Sequence, residues 1–282
     1  TAPGARMLKN YIENPLINET EINKRLDIVE KLIKEFILKS DLRDALDGVY
    51  DIERLTGRVA LGAASARDLL QLKNSLKRLP VVLEILKKIE YPNTFEVPYD
   101  LYNLLNASIN EDAPITLKEG GLIKEGYNKE LEKVKNIRKN GKDFIAQFEN
   151  EEKIRTGIKN LKVGYNRVFG YYIEVSKGSL DLVKDEYGYE RKQTLAGAER
   201  YISKVLKEKE DLILNAEENI IKIEYDLFIE IRNEVKEYIV KLQDIAHIIS
   251  EIDVLQSFAT IAEENNYVRP IFSNNNEIEI IE

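Results

Sequence analysis

The chain has 282 residues, 43% hydrophobic and 33% charged, with one histidine, no cysteine and a net charge of −8 at pH 7. That balance suits a folded, helix-rich protein of one or two domains and excludes a disordered one. It also excludes disulfides, a thiolate nucleophile and a cysteine zinc finger, and no signal peptide or apolar run near the length of a membrane span is evident. The opening Thr1-Ala2-Pro3-Gly4 and the abrupt ending after Ile278-Glu279-Ile280-Ile281-Glu282 read as a piece of a longer protein. Residues 1 to about 106 read as several medium helices. Ile22, Leu26, Val29 and Ile33 recur at helical spacing, and Asn18-Glu19-Thr20-Glu21 supplies capping residues before them. Asp51-Ile52-Glu53-Arg54-Leu55 and Ala66-Arg67-Asp68-Leu69-Leu70 belong to further short helices, with Pro80, Pro92 and Pro98 as punctuation.

Residues 107 to 121 are loop-like and end in Gly120-Gly121. A long helix is predicted from Tyr127 or Asn128, with the stripe Leu131, Val134, Ile137, Phe144 and Phe148 and a weak point at Asn140-Gly141. The pattern then changes. Lys162 to Val168 and Gly170 to Ser176 are rich in Val, Tyr and Ile, which predicts two strands joined by a tight turn, and a third runs from Tyr187 to Thr194. Ile213, Ala216, Ile220, Ile223 and Leu227 then form a coiled-coil-like seam. A helix from about Ala198 to Leu242 would be roughly 65 Å long. The expected order is a long helix out, a small β unit, and a long antiparallel helix back, which would carry the β unit well away from the main body; a compact bundle with a hairpin insertion is the alternative.

Charge is uneven. Residues 155 to 209 hold twelve Lys or Arg against seven Asp or Glu, a net of +5, which leaves −13 on the rest. A basic island on an acidic body is a candidate polyanion site, and a solvated mixed-charge surface is the alternative. Lys162, Arg167, Lys177, Arg191, Lys192 and Arg200 can each neutralise a phosphate, and Asn166, Gln193 and Thr194 can donate hydrogen bonds. Glycines 157, 164 and 170 would let backbone approach closely. Tyr165, Tyr171 and Tyr172 suit either base stacking or cross-strand packing. Gly121 and Gly126 have phosphate-loop spacing, but Tyr127-Asn128 follows where Lys and Ser or Thr are needed, so they read as a turn. His247 lies in an apolar helical context with no second His or Cys to complete a metal site. No triad or isolated acid–base pair is present, so no enzyme is expected here.

The motifs resemble a known family. Gly4-Ala5-Arg6-Met7-Leu8-Lys9, Asn14-Pro15-Leu16 and Asp51 to Leu55 resemble the start of the core domain of bacterial MutS mismatch-repair proteins. Gly120 to Leu131 resembles the stretch before that family's lever helix. Arg155-Thr156-Gly157, Leu161 to Asn166, Gly170 to Ile173, Arg191 to Leu195 and Ala198-Glu199-Arg200-Tyr201 resemble its clamp domain. The resemblance covers essentially the whole chain in the family's order. It implies a mainly α fold: a helical core with two long antiparallel lever helices that carry a small inserted β-rich clamp. The implied division is 1–150 for core and first lever, 151–203 for the clamp, and 204–282 for the second lever and the return to the core. It further implies double-stranded DNA as partner, a homodimer, mismatch-repair partner proteins, no membrane, and a cytoplasmic, nucleoid-associated location. The family's mismatch-reading domain is expected upstream. Its ATPase domain, with ATP and magnesium, is expected beyond Glu282, so no cofactor is expected on these residues. A separate branch of the family lacks the clamp, and the β unit argues against it. Asn166 falls on a position that approaches the DNA backbone, Lys192, Gln193 and Thr194 fall near phosphate, and Arg200 follows them. Gly197 stands where the family often has Asn, so no contact is carried onto it. The rival expectation is a helical scaffold whose β unit binds another protein.

Overall fold

The computed structural model describes residues 1–273 and 278–280, without the side chains of residues 137, 141, 142, 144, 209 and 212–214. The side chains of the expected stripe residues Ile137 and Phe144 and of the seam residue Ile213 therefore fall outside what is described, as do the terminal Ile281 and Glu282. What is described is mainly α, with one small antiparallel sheet inserted between two long helices, as the composition and motifs lead one to expect. The chain forms two compact units, Thr1–Leu117 with Phe228–Glu282, and Lys118–Leu227.

The first unit contains α1 (Ala2–Glu13), α2 (Glu19–Lys34), α3 (Phe36–Asp47), α4 (Ile52–Ala60), α5 (Ala66–Lys88), α6 (Tyr99–Ser108) and α9 (Ile239–Glu264). Its centre is α9, against which α1, α2, α3 and α4 all pack. Among the described residues α9 is long and apolar enough to cross a membrane, contrary to the expectation of no apolar run near that length. Its apolar window is 61% buried inside the protein, with Leu242, Ile245, Ile249, Ile252 and Leu255 in the core. Asn18 caps α2 as expected, accepting from the Glu21 amide at 3.2 Å. Full burial on that helix goes to Ile28 and Leu32, so the predicted row of Ile22, Leu26, Val29 and Ile33 is its half-buried flank.

The early motif has a packing reason. Asp51 caps α4 by accepting from the Arg54 amide at 3.1 Å, and Arg6 forks the same carboxylate at 2.7 and 2.8 Å. Gly4 lies against Asp253, whose Oδ2 would stand 1.9 Å from any Cβ added there. Pro80 does not punctuate this region; it lies inside the 23-residue α5. The ring removes one backbone donor, but Leu76, Leu79, Val82, Ile85 and Leu86 are buried on both sides of it and keep the helix in place.

The second unit begins with a loop and α7 (Lys129–Thr156). Asn128 caps α7 by accepting from the Glu130 and Leu131 amides, at 2.9 and 3.0 Å. The helix runs through Asn140-Gly141 and ends at Gly157, which takes the left-handed conformation at φ +71°. Four strands follow: β1 (Lys162–Asn166), β2 (Gly170–Ser176), β3 (Glu190–Thr194) and β4 (Ala198–Ile202). They form an antiparallel sheet in the order β1-β2-β4-β3, with a bulge between Arg191 and Gln193. Two short 3₁₀ turns, Lys177–Leu182 and Asp185–Tyr187, link β2 to β3.

One sheet face closes a small core of Ile173, Val175 and Tyr201 over Phe148 of α7, Ile158, Leu161 and Leu206. Ala198 to Ile202 form a strand and not the start of the long helix expected from about Ala198. Their helix-forming side chains are overridden because Tyr201 enters this core and β4 pairs with strands on both sides. The helix α8 instead spans Lys204–Lys236, about 50 Å at 1.5 Å per residue, and α9 starts only after Glu237 and Tyr238.

Burial and the Glu199 carboxylate push the Tyr201 hydroxyl up to about 12, and burial with Glu152 raises Tyr189 in the same sense. The folded value lies above the unfolded value of about 10, so the fold favours the neutral phenol. That contribution is complete below pH 10 and is lost as pH rises from 10 to 12. The urea midpoint should therefore hold steady to about pH 9.5 and then fall, and Tyr201→Phe should make the fall shallower.

Candidate nucleic-acid interface

The outer sheet face, opposite the core, is a polar ladder. The strand register aligns Lys162, Glu174, Arg200 and Gln193 in one row across all four strands. Arg200 Nε donates to Glu174 Oε2 at 2.8 Å, and its Nη1 donates to Gln193 Oε1 at 3.0 Å. The guanidinium also lies 4.3 Å from the centre of the Tyr172 ring. Beneath that stack, Gly164 has to be bare, because a Cβ there would meet the Tyr172 ring at 2.7 Å. Arg200 and Gln193 thus have structural partners within the sheet, and Arg200 is only 19% exposed. The tyrosines behave as packing residues: Tyr165 and Tyr171 meet edge to face at 5.1 Å, and Tyr172 carries Arg200.

The other residues of interest divide between the two ends of the sheet. Asn166 and Arg167 occupy the β1–β2 turn, where Asn166 Oδ1 accepts from the Val168 amide at 2.8 Å. This turn faces α8: Lys207 Nζ donates to the Phe169 carbonyl at 2.9 Å and pairs with Glu210 at 2.8 Å. Lys177 and Thr194 lie at the opposite end. There the Lys177 amide donates to the Gly197 carbonyl at 3.0 Å, and the Leu195 amide to the Ala198 carbonyl at 2.8 Å. Asn160 joins the same end through bonds to Ser176 and, at 3.1 Å, Ser179. The two ends are separated by the length of β2, roughly 20 Å.

Several basic residues of the island are already paired. Arg155 binds Glu152, Arg191 faces Glu199, Lys192 binds Glu190, and Arg200 binds Glu174. Among the described residues Lys159, Lys162, Arg167, Lys177 and Lys204 are exposed and form no salt bridge. Lys159 and Lys177 flank Asn160 and the Gly197 turn, so that end presents two unneutralised cations beside exposed backbone at Gly178 and Gly197. Such an end can meet a phosphate chain without reading bases.

The glycines with phosphate-loop spacing only turn the chain, with φ of +75° at Gly121 and +83° at Gly126. His247 is exposed on α9 in a shallow groove with Arg6, Met7, Asn10 and Glu53, rather than packed in the core. Among the described residues no group of three or more His, Cys, Asp or Glu is placed to hold a metal ion.

Glu224 of α8 is fully buried, whereas the expected seam residues Ile223 and Leu227 are half-buried. The buried row on α8 runs through Ala216, Ile220, Glu224 and Phe228 instead. A carboxylate at that four-residue spacing is the signal that was available.

The MutS domain III family matches residues 1–259. The DNA mismatch repair protein MutS of Bacillus cytotoxicus is 52% identical over 287 residues, covering 99% of this chain and 32% of that protein. Those of Oceanobacillus iheyensis and a Geobacillus species are each 51% identical, covering 97% and 99% of this chain. The chain spans about a third of the length of these curated relatives. Similarity of this depth along nearly the whole sequence, on a helical frame with the sheet inserted where the motifs require it, means that the chain belongs to the MutS family of mismatch-repair proteins, within its domain III.

Proposed function

We propose that this chain is the lever and clamp part of a mismatch-repair protein, and that its sheet grips the backbone of double-stranded DNA without reading sequence. What carries it is the sheet end where Lys159 and Lys177 stand unpaired beside the Thr194–Gly197 turn. The names of the relatives support DNA as partner. In this reading 151–203 is the clamp, 1–150 and 204–282 supply core and levers, and no reaction is assigned to these residues. Lys192 and Thr194 extend the phosphate-facing end, Lys162 adds charge on the outer face, and Gln193 and Arg200 hold the sheet in shape. Asn166 and Arg167, on the turn that faces α8, would meet a different stretch of backbone. The clamp would work in a homodimer, where two arms raise each other's effective concentration. The levers would couple it to an ATP- and magnesium-dependent motor and to repair partner proteins by shifting open and closed populations. A cytoplasmic, DNA-associated location follows from that role.

Duplex binding at low and at moderate salt, with matched and mismatched duplexes, tests this. Affinity should fall as salt rises, with a log–log slope of roughly −0.9 per phosphate neutralised, and show no mismatch preference. Lys177→Glu should weaken binding and make the slope shallower by about one unit. Binding that ignores salt, or none at low salt, would favour the scaffold whose β unit binds a protein. Preference for the mismatch would place recognition in these residues and contradict the proposal.

A further inference from the structure

We propose that Glu224 is a positioning residue that fastens the root of α7 to α8, and that this fastening sets how much of the protein holds its arm ready for DNA; the second half rests on the clamp reading above. Glu224 is 0% exposed in a row whose neighbours Ala216 and Ile220 are apolar and buried. A carboxylate is costly there unless other segments bring it partners. Two segments do. Oε2 accepts from the Leu122 amide at 3.1 Å, and Oε1 stands 3.0 Å from Lys135 Nζ of α7. Oε1 accepts no aligned hydrogen bond, so the Lys135 ion pair is its described partner.

The loop is shaped for this contact. Gly120 and Gly121 both take φ +75°, and a Cβ on Gly120 would stand 3.6 Å from Glu224 Oε2 and 3.4 Å from Ile221 Cγ1. Leu122 and Ile123 are then buried beside it. One carboxylate therefore ties the loop, α7 and α8 together. The other described ion pair between these helices, Arg138 with Glu217, is longer at 3.8 Å and is 39% and 53% exposed, so it holds little.

Amide exchange in the purified chain tests the fastening. Glu224→Ala should speed exchange at Leu122 about tenfold or more, while Ile173 and Tyr201 in the sheet keep their protection. Glu224→Gln retains a carbonyl acceptor and should restore most of the Leu122 protection. Unchanged Leu122 exchange in folded Glu224→Ala overturns the proposal. Should that variant not fold, Glu224→Asp carries the test, since the side chain is one methylene shorter and draws the carboxylate back from the Leu122 amide; Leu122 exchange no faster there would equally overturn it. For the second half, duplex affinity of Glu224→Ala should fall about tenfold with an unchanged salt slope, because the same phosphates are met by a smaller competent population. A changed slope, or unchanged affinity alongside faster Leu122 exchange, overturns that half. If the unsubstituted chain binds no duplex, the clamp reading fails, and the Leu122 result still decides the fastening.

Discussion

Gly170→Ala is expected to destabilise the sheet-bearing unit by about 3 kcal/mol. Gly170 opens β2 with φ +83°, a backbone that costs an L side chain roughly 1–2 kcal/mol. The added Cβ would also fall 1.7 Å from Glu210 Oε1 and 2.4 Å from its Cδ. Glu210 cannot swing away freely, because it is 4% exposed and holds Lys207, which in turn donates to the Phe169 carbonyl. Displacing it breaks the link between the β1–β2 turn and α8. Other glycines grade the comparison. Gly157 and Gly188 share the left-handed backbone but have no atom within 4 Å of the added Cβ, so alanine there should cost about 1 kcal/mol. Gly178 and Gly197 have open space and no positive φ, so alanine should change stability by less than about 0.5 kcal/mol. Urea midpoints of these variants give the order directly. A cost for Gly170→Ala no greater than for Gly157→Ala would show that the turn does not depend on Glu210.

Much of this organisation could be read from the sequence where the signal is local. Asn128 before an apolar stripe, the turn at Gly120-Gly121 and the tyrosine-rich strands around Gly170 each carry their cause within a few residues. What escaped depends on partners distant in sequence. Ala198-Glu199-Arg200-Tyr201 has helix-forming composition and becomes a strand because Ile173 and Arg191 lie opposite Tyr201. Pro80 has the look of a helix stop, but the burial of α5 on both sides of it prevails. Glu224 is one of many carboxylates until the loop bearing Leu122 folds over it. The candidate phosphate-binding residues were legible as types, but not as places. Only the register shows that Asn166 and Arg167 lie at one end of β2 and Lys177 at the other.

Arg200→Glu is expected to lower stability by about 2–3 kcal/mol and to weaken duplex binding only through the loss of the sheet. The substitution would set two carboxylates side by side, at 200 and at Glu174, on neighbouring strands. It would also remove the bond to Gln193 and the stack on Tyr172. Neither member of the pair is free in solvent, with Arg200 19% and Glu174 31% exposed, so screening would not erase the repulsion. A charge swap separates the two roles of this arginine. Glu174→Arg with Arg200→Glu keeps the opposite charges across the β2–β4 pair and should recover at least half of the lost stability. If Arg200 only shapes the sheet, that double variant should bind duplex with the salt slope of the unsubstituted chain. If stability returns while the slope stays shallower by about one unit, Arg200 is itself a phosphate contact, and the gripping surface reaches across the outer face of the sheet instead of ending at Lys177 and its turn.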